Sequence, residues 1–343
     1  MITFLRLKPS KFGGAETYLL RLTNELKNVG ISYEIKYSTA PKFLTSWMKV
    51  LWYNIEVCVY KKNSLYFSLE RITCPDIYRA GDGVHKVFME IEKKSKLNPL
   101  HYVYLYIEKK LFKNAKKIIA NSYMIKNQII DTYHIEESKI VVIYNGMKLH
   151  KINFDNSFKK LQDEFSLDKT KDKIFIYVGS GFKRKGVEEF LTILSKLKRQ
   201  NFKAFVIGKE KKMNYYKNLA KVLNIEHKVI FTGPRDDVSD FYAIGDIFLF
   251  PTRYEPFSNV VLEAMNYENV VITTKQNGAS EILDTEYVMA KSDDYSIVEK
   301  IDLLLEDEKK LQEIKNRNLD IVKNFSIEKN MQETLKVIDE ITH

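Results

Sequence analysis

Two glutamates separated by seven residues lie directly after an apolar stretch, residues 247–250, in the second half of the chain. The segment reads Arg253-Tyr254-Glu255-Pro256-Phe257-Ser258-Asn259-Val260-Val261-Leu262-Glu263. Its proline presets the backbone for a helix start, and Ser258 or Asn259 can cap that helix. Glu255 then precedes the helix and Glu263 lies in its first turns. We expect both carboxylates to face one cleft.

The start of this helix also offers backbone donors. N–H groups at a helix N-terminus lack partners within the helix and carry partial positive charge. We expect those of residues 257–260 to be exposed and to hold a phosphate or a sugar hydroxyl, while the carboxylates accept hydrogen bonds from sugar or ribose hydroxyls. An ordinary helix start is the alternative, but it would not need the second glutamate.

Three consecutive cations occupy a glycine-rich turn that follows the apolar stretch 174–178. The turn reads Gly179-Ser180-Gly181-Phe182-Lys183-Arg184-Lys185-Gly186. Arginine forks onto two phosphate oxygens and lysine supplies a compact charge, so both stabilise the negative charge on a departing phosphate. The turn therefore predicts a diphosphate site, with a solvated basic turn as the alternative.

Other glycines and histidines give weaker signals. Gly13-Gly14 opens the first helix, where small residues let N–H groups approach an anion, although a turn without a ligand fits as well. It lacks the six-residue glycine pattern of dinucleotide-binding oxidoreductases. His85 follows two glycines and is a loop residue or a catalyst. Without an Asp-x-Asp triplet or a His/Cys cluster, we expect no required metal and no cofactor.

The elements that position these residues follow from hydrophobic periodicity. Short apolar stretches alternate with helical patterns along the whole chain, which indicates βα units, parallel sheets and an α/β fold class. We predict a first helix over residues 15–29, stopped by Gly30. Strands are predicted at residues 2–7, 32–37, 64–69, 76–79, 117–120 and 140–143, and again at 174–178, 204–207, 229–232, 247–250 and 270–273. The chain thus contains two doubly wound sheets in series.

The boundary between the two sheets is marked by Tyr144-Asn145-Gly146, a turn signal. A polar stretch follows it to residue 173, and we place the linker there. In doubly wound sheets ligands bind at the carboxyl ends of the strands. We therefore expect a substrate in a cleft between two facing domains.

Several of these segments together resemble a known family. The paired-glutamate segment, the Lys185-Gly186 turn, the early Gly-Gly turn and the 144–146 turn resemble the retaining glycosyltransferases of family four, over nearly the whole chain. Two further segments resemble the bacterial lipopolysaccharide core glucosyltransferases that act on inner-core heptose: Tyr78-Arg79-Ala80-Gly81-Asp82-Gly83-Val84-His85 and Phe231-Thr232-Gly233-Pro234-Arg235-Asp236-Asp237-Val238.

The resemblance implies the GT-B fold, in which two Rossmann-like doubly wound domains face a central cleft. Residues 1–148 would form an acceptor-binding domain and residues 149–325 a nucleotide-sugar-binding domain. Residues 326–343 would form a helix that packs back on the first domain. The implied reaction is transfer of a hexose, glucose, from a UDP-sugar to the inner core.

The resemblance also implies roles for single residues. Arg184 and Lys185 would bind the donor diphosphate, with Gly14 closing over it. Glu255 would contact the transferred sugar and Glu263 the ribose. The other implied donor-binding residues are Gly233, Pro234 and Arg235, beside the uracil, and Phe257, Ser258 and Asn259, through their N–H groups.

On the acceptor side, His85 would approach the reaction centre with Asp82 nearby. The sequence departs from the family at two points. Ser180 stands where many relatives carry an arginine, which makes Arg184 the second cation. The turn Asn277-Gly278-Ala279-Ser280-Glu281 is looser than the Gly-Gly turn frequent there.

Positive charge is concentrated in the first half of the chain. Residues 1–150 carry 24 Lys+Arg against 13 Asp+Glu, a net of +11, whereas the remainder carries 31 against 32, a net of −1. This asymmetry predicts an anionic partner, such as nucleic acid, a membrane surface or a phosphorylated substrate; an ordinary basic surface is the alternative. A nucleic-acid-binding protein ranks last, because no recognition signature accompanies the charge.

Residues 43–60 contain both tryptophans, Trp47 and Trp52, in an apolar pattern of near-helical spacing. The segment is too charged to span a bilayer, so it is either an amphipathic helix at a lipid interface or a buried core helix. Basic residues flank it and recur later: Lys42, Lys61, Lys62, Lys93, Lys94, Lys96, Lys109, Lys110, Lys113, Lys116 and Lys117. We expect peripheral attachment to the inner face of the cytoplasmic membrane and an anionic lipid-linked oligosaccharide acceptor, with a soluble or capsular glycan as the alternative.

The compartment follows from what the sequence lacks. The chain has two cysteines, Cys58 and Cys74, too few for a disulfide framework or a structural zinc site, which favours a reducing compartment. Its first residues form too short an apolar run for a signal peptide, and no apolar stretch reaches membrane-spanning length. We therefore expect a cytoplasmic protein.

Overall fold

The computed structural model describes residues 1–9, 14–61, 63–95, 97–151, 153–168 and 172–342. Gly13 of the early turn and two of the basic residues above, Lys62 and Lys96, lie outside this part of the chain. The chain forms two compact units. The first comprises Met1–Gly146 and Ile327–His343, and the second comprises Met147–Ser326.

The first unit is built on a parallel six-stranded sheet with the strand order β2-β1-β3-β4-β5-β6. Helices connect most of its strands. The strands are β1 (Ile2–Arg6), β2 (Tyr33–Tyr37), β3 (Leu65–Ser68), β4 (Ile77–Arg79), β5 (Lys117–Ala120) and β6 (Ile140–Val142). The helices are α1 (Gly14–Asn28), α2 (Ser46–Val59), α3 (His85–Ile91), α4 (Pro99–Asn114) and α5 (Tyr123–Tyr133).

The second unit has the same architecture, with the strand order β12-β11-β10-β7-β8-β9 and all pairs parallel. Its helices are α6 (Phe154–Phe165), α7 (Phe182–Lys185), α8 (Val187–Ser195), α9 (Met213–Val222), α10 (Val238–Ile244), α11 (Asn259–Asn266), α12 (Ile297–Glu306) and α13 (Glu308–Val322). Its strands are β7 (Lys173–Val178), β8 (Phe202–Ile207), β9 (Val229–Gly233), β10 (Ile247–Phe250), β11 (Val270–Thr274) and β12 (Val288–Met289). The predicted α/β class, with two Rossmann-like doubly wound domains, is confirmed.

The last helix, α14 (Ile327–Thr342), belongs to the core of the first unit. Its buried residues Met331, Val337 and Ile338 pack in one cluster with Phe4 of β1 and Leu22 of α1. The hydroxyl groups of Tyr18 and Thr334 also form a hydrogen bond, 3.0 Å long, between α1 and α14. The unit boundaries fall after residues 146 and 326, against the predicted 148 and 325.

The predicted linker is wrong in its central part, because residues 154–165 form α6. Asn153, one of the polar residues that indicated a loop, is the N-cap of this helix and accepts a hydrogen bond from the Asn156 N–H. Phe158 and Leu161 are buried, and α6 packs against α10. A capped amphipathic helix was therefore mistaken for a connection.

The two cysteines form a disulfide, which the sequence analysis did not predict. Cys58 lies at the end of α2 and Cys74 in the loop before β4, and both pack against the same small core cluster that contains Tyr53 and Ile72. Packing brings their Cα atoms to 5.7 Å, a separation that a disulfide bridges. Among the described residues, no helix has the length and apolar character needed to cross a membrane.

Candidate active site

The basic turn of the second unit connects β7 to a single helical turn, α7, and then to α8. Glycines make this path possible. Gly181 and Gly186 have φ angles of 78° and 80°, in the left-handed region. A Cβ on Gly186 would lie 1.9 Å from the carbonyl oxygen of Pro251, so no side chain fits there. Lys185 in turn lies over Gly179, where a Cβ would be 2.8 Å from its Cδ atom.

Two cations of this turn converge on one carboxylate. Arg184 Nη1 donates to Glu255 Oε2 at 2.7 Å, and Lys185 Nζ lies 3.7 Å from the same oxygen. Arg184 also donates to the Tyr254 carbonyl at 2.7 Å, which holds its guanidinium against the segment after β10. The three charged side chains are partly exposed. The structure thus brings Arg184, Lys185 and Glu255 together, as a cation pair already oriented by a carboxylate.

The backbone around Glu255 is fixed by the turn that follows β11. The Glu255 N–H donates to the Gln276 carbonyl and the Gly278 N–H donates to the Glu255 carbonyl. The fully buried Asn277 side chain accepts from the N–H groups of Ser258 and Ala279 and donates to Thr273. Sequence analysis noted Asn277 only as a looser turn. The signal that could have identified this role is an amide side chain at a position where the family frequently has a glycine.

The second glutamate has different partners. Helix α11 begins at Asn259, so Glu263 lies in its first turns, as predicted. Glu263 Oε2 accepts a hydrogen bond from the Tyr242 hydroxyl of α10 at 3.2 Å. Burial and the adjacent Glu263 raise the pKa of Tyr242 well above its usual range, so its hydroxyl stays a donor.

The expected donors at the start of α11 need a correction. Ser258 occupies the N-cap position without a side-chain capping bond, and its own N–H already donates to Asn277. Phe257 and Ser258 are buried, whereas Asn259 is exposed. The prediction of exposed N–H groups over residues 257–260 is therefore wrong at Ser258, because the buried Asn277 side chain accepts the hydrogen bond from its N–H.

The segment expected beside a nucleobase lies at the end of β9. Gly233 ends the strand with a φ of 74°, and Pro234 is exposed. Arg235 donates two hydrogen bonds to Glu164 of α6 and two to Asp237. The Arg235 side chain is thus held by α6.

His85 of the first unit begins α3 and is buried. The His85 ring atom Nε2 lies 2.9 Å from His101 Nδ1. The backbone N–H of His85 donates a hydrogen bond to Glu108 Oε1 at 2.7 Å. Burial, the Arg71 guanidinium and His101 lower the pKa of His85 to about 4. The expected neighbour Asp82 is exposed and 3.7 Å from Arg71.

Three members of this group, Arg71, His101 and Glu108, were not predicted from the sequence. A histidine in the first turns of a helix has no local signal for a contact 16 residues away. Gly14, the remaining predicted residue of this unit, begins α1. No group of three or more His, Cys, Asp or Glu side chains arranged to hold a metal occurs in the described part of the chain.

Comparisons with known proteins agree with this architecture. The family described as Glycosyl transferases group 1 matches residues 158–320, and Glycosyltransferase Family 4 matches residues 82–151. The capsular polysaccharide biosynthesis glycosyltransferase CapM of Staphylococcus aureus is 32% identical over 220 residues, 61% of this chain and 57% of CapM. The lipopolysaccharide glucosyltransferase WaaG of Escherichia coli K12 is 35% identical over 109 residues, 31% of this chain and 29% of WaaG.

Solved structures show the same fold. A crystal structure of WaaG, a glycosyltransferase involved in lipopolysaccharide biosynthesis, superposes with a TM-score of 0.80, 18% identity and coverage of 98% of this chain and 99% of that one. Anabaena Alr3699/HepE in complex with UDP-glucose gives 0.75, 19% identity and 99% of each chain. The alignments span about three fifths of the length of the first curated relatives. Two glycosyltransferase family models thus match successive parts of this sequence, and its fold is that of the GT-B glycosyltransferases.

Proposed function

We propose that this protein transfers a hexose, glucose, from a UDP-sugar to the inner-core heptose of lipopolysaccharide or lipooligosaccharide, with retention of the anomeric configuration. Support for the acceptor comes from the lipopolysaccharide glucosyltransferase WaaG, which matches part of this chain in sequence. A crystal structure of WaaG also has the same fold. Support for the donor comes from the HepE complex with UDP-glucose. The sequence resemblance described above points to the same pair.

The convergence of Arg184 and Lys185 on Glu255 is the observation that carries this proposal. Glu255 orients the two cations before any substrate binds, so they need little reorganisation when a diphosphate arrives. As the glycosidic bond breaks, both cations stabilise the charge on the departing UDP phosphate. The acceptor hydroxyl attacks from the same face and passes its proton to that phosphate.

The remaining donor-binding residues surround this pair in the proposal. Glu263 accepts hydrogen bonds from the ribose, and Glu255 with the segment Phe257 to Asn259 contacts the sugar. Gly233, Pro234 and Arg235 lie beside the uracil, and Gly14 closes over the diphosphate. Because cations do the neutralisation, we propose that no divalent metal or cofactor is needed. Chelation with EDTA should leave transfer unchanged.

Substitution of Lys185 tests the proposed role directly. Lys185→Ala should lower kcat about a hundredfold or more, since it removes a charge that acts on the leaving group. Lys183→Ala is the matched control, because Lys183 is the exposed neighbour in the same turn. The measurement is transfer of glucose from UDP-glucose, with the circular dichroism of each variant as the check on folding. A folded Lys185→Ala variant with wild-type turnover would refute the assignment.

We retain a second class of acceptor, because one relative takes part in the synthesis of a different glycan. CapM is a capsular polysaccharide biosynthesis glycosyltransferase, so a capsular, other lipid-linked or soluble glycan is the alternative acceptor. The same enzyme preparation, supplied with UDP-glucose and a panel of heptose-terminated and capsular acceptors, decides between them. We propose no nucleic-acid partner.

We also propose that the first unit attaches to an anionic membrane surface on the cytoplasmic face of the inner membrane. Helix α2 is apolar on two opposite sides, a feature that supports this proposal. Val50, Tyr53 and Val57 are buried, while Trp52, Ile55 and Val59 are 46%, 58% and 67% exposed. Exposed apolar side chains in one helical stripe are typical of an interaction surface.

The helix beside α2 supplies positive charge. Helix α4 packs against α2 and exposes Tyr102 and Tyr106, followed by the exposed lysines Lys109 and Lys113 at helical spacing. Aromatic rings at the level of the headgroups and lysines near anionic lipids favour binding to a lipid surface. The occupant we propose is therefore an anionic bilayer.

Vesicle co-sedimentation tests this attachment. Wild type should sediment with vesicles of anionic phosphatidylglycerol and less with neutral phosphatidylcholine, and high salt should weaken the binding. Ile55→Ser should reduce sedimentation, whereas Leu303→Ser, which removes a 61% exposed leucine of the second unit, should not. Equal sedimentation of all three proteins with both lipids would contradict the proposal.

A further inference from the structure

The histidine that the resemblance places near the reaction centre is held by a second histidine. His85 Nε2 and His101 Nδ1 are 2.9 Å apart, and the ring centroids are 5.1 Å apart. The Tyr104 ring packs edge-on against His85 at 4.9 Å. The His85 ring therefore has one side occupied by helix α4.

The backbone of His85 is fixed by a buried carboxylate. Glu108, fully buried in α4, accepts from the His85 N–H, from Arg71 Nε at 2.8 Å and from the Tyr133 hydroxyl at 2.8 Å. Arg71 also donates to the Gly83 carbonyl at 2.9 Å. A buried carboxylate that is fully bonded resists displacement. The start of α3 is thus held on the same helix that carries His101.

Burial, together with the Arg71 guanidinium and His101, lowers the pKa of His85 and keeps its ring neutral. The groups that face it are Arg71, His101, Tyr104 and the Glu108 carboxylate, which is itself paired with Arg71. The position at the positive end of α3 also disfavours an imidazolium. A neutral imidazole has one donor nitrogen and one acceptor nitrogen, so the bond made by one nitrogen fixes the role of the other.

The contact with His101 allows two proton arrangements for a pair of neutral rings. The form with the proton on Nε2 is the more populated one of free histidine. If both rings adopt it, His85 Nε2–H donates to the unprotonated Nδ1 of His101. The opposite arrangement, in which His101 Nδ1–H donates to His85 Nε2, would require the less populated form in both rings. His85 Nδ1 is then left as an acceptor, and it has no hydrogen-bond partner among the residues that the structure describes.

We propose that His101 is a positioning residue: it holds His85 as the Nε2–H tautomer, so that His85 Nδ1 is presented as a hydrogen-bond acceptor to a substrate hydroxyl. The proposal rests on the glycosyltransferase function above, since it gives His85 a substrate to meet. It concerns a hydrogen bond to a sugar hydroxyl and adds no covalent step.

Two variants at position 101 separate positioning from packing. The His101→Asn variant keeps an acceptor oxygen close to the place of Nδ1, whereas His101→Phe keeps a ring and loses the acceptor. His227→Phe is the control, because His227 is an exposed histidine of the second unit. Two-bond ¹H–¹⁵N spectra of the full chain report the protonation of His85 in the free protein, and kcat/KM for transfer from UDP-glucose is measured against pH.

The wild type and His101→Asn should show His85 protonated on Nε2 and similar kcat/KM. His101→Phe should show a mixture of tautomers and lose about tenfold or more in kcat/KM. Its acidic limb should move to higher pH, because a group that lowers the pKa of His85 has been removed. UDP affinity by calorimetry should be unchanged in all variants.

A His85 ring protonated on Nδ1 in the wild type would overturn the proposal. So would a His101→Phe variant with the wild-type tautomer, rate and pH profile. Absence of any glucose transfer by the wild type would instead count against the proposed function, since the tautomer is observed without substrate.

Discussion

Single residues in the two units neutralise charge in different ways. Glu255 is partly exposed and shares one oxygen between Arg184 and Lys185, so a diphosphate can compete for those cations. Glu108 has no exposed surface, and Arg71 and Tyr133 both donate hydrogen bonds to its carboxylate. The same carboxylate accepts the backbone N–H of His85 and so holds that backbone in place. In the proposed reaction the first carboxylate gives up its cations to the diphosphate, whereas the second holds the backbone of His85 in place.

The depressed pKa of His85 predicts a pH dependence of stability. Its pKa is about 4 in the folded chain, below the ordinary value of 6.5, so the unfolded chain binds a proton first as the pH falls. The stability that neutral His85 contributes to the fold is fully present above the ordinary pKa of histidine. It is lost as the pH falls toward the pKa that His85 has in the folded chain. Between about pH 7 and pH 5, wild type should lose roughly 1 to 2 kcal/mol more unfolding free energy than His85→Gln.

Urea unfolding followed by tryptophan fluorescence measures this difference, because both tryptophans, Trp47 and Trp52, lie in the first unit. Equal pH dependence in the two proteins would show that His85 is not kept neutral by the fold.

Sequence predicted the charged residues of the second unit better than those of the first. Arg184, Lys185 and Glu255 lie in short segments at strand ends, where type and spacing are visible locally. Arg71, His101 and Glu108 come from one loop and one helix, and only packing brings them to His85. Asn277 was missed because its role lies in the backbone groups it caps.

Among elements, α6 offers a direct test of its structural assignment. Leu161 is fully buried, so Leu161→Ala should cost about 2 to 4 kcal/mol of unfolding free energy. Lys159→Ala, on the exposed face of the same helix, should change it by less than about 0.5 kcal/mol. Thermal unfolding followed by far-UV circular dichroism measures both. If neither substitution changed the unfolding free energy by more than about 0.5 kcal/mol, residues 154–165 would behave as a linker and not as a packed helix.

The success of strand prediction also has a physical basis. Strands β5 and β10 have the predicted bounds because a parallel sheet covered on both faces has an uninterrupted apolar sequence. β12 has two residues and no such signal. In α6 the polar residues of the cap and outer face outweighed the buried Phe158 and Leu161.

At the scale of the whole molecule, the two units are built from unequal parts of the sequence. The first unit needs α14 from the far end of the chain to complete its core. Ile338→Ala should therefore lower the stability of the first unit by about 2 to 4 kcal/mol, while the exposed Lys336→Ala should not.

Tryptophan fluorescence reports this loss in urea. UDP affinity by calorimetry should stay at the wild-type value, because the proposed donor residues other than Gly14 lie in the second unit. A loss of UDP affinity that equals the loss of stability would argue against this separation.

The contact between Gly186 and the Pro251 carbonyl bears on how donor preference can be redesigned. Backbone meets backbone at that point, so the register between the basic turn and the segment carrying Glu255 is independent of side-chain choice. A saturation library across the turn should recover no replacement of Gly186. Altered sugar selectivity therefore has to be sought in the flanking loops, because the backbone of the basic turn cannot be moved relative to the segment that carries Glu255.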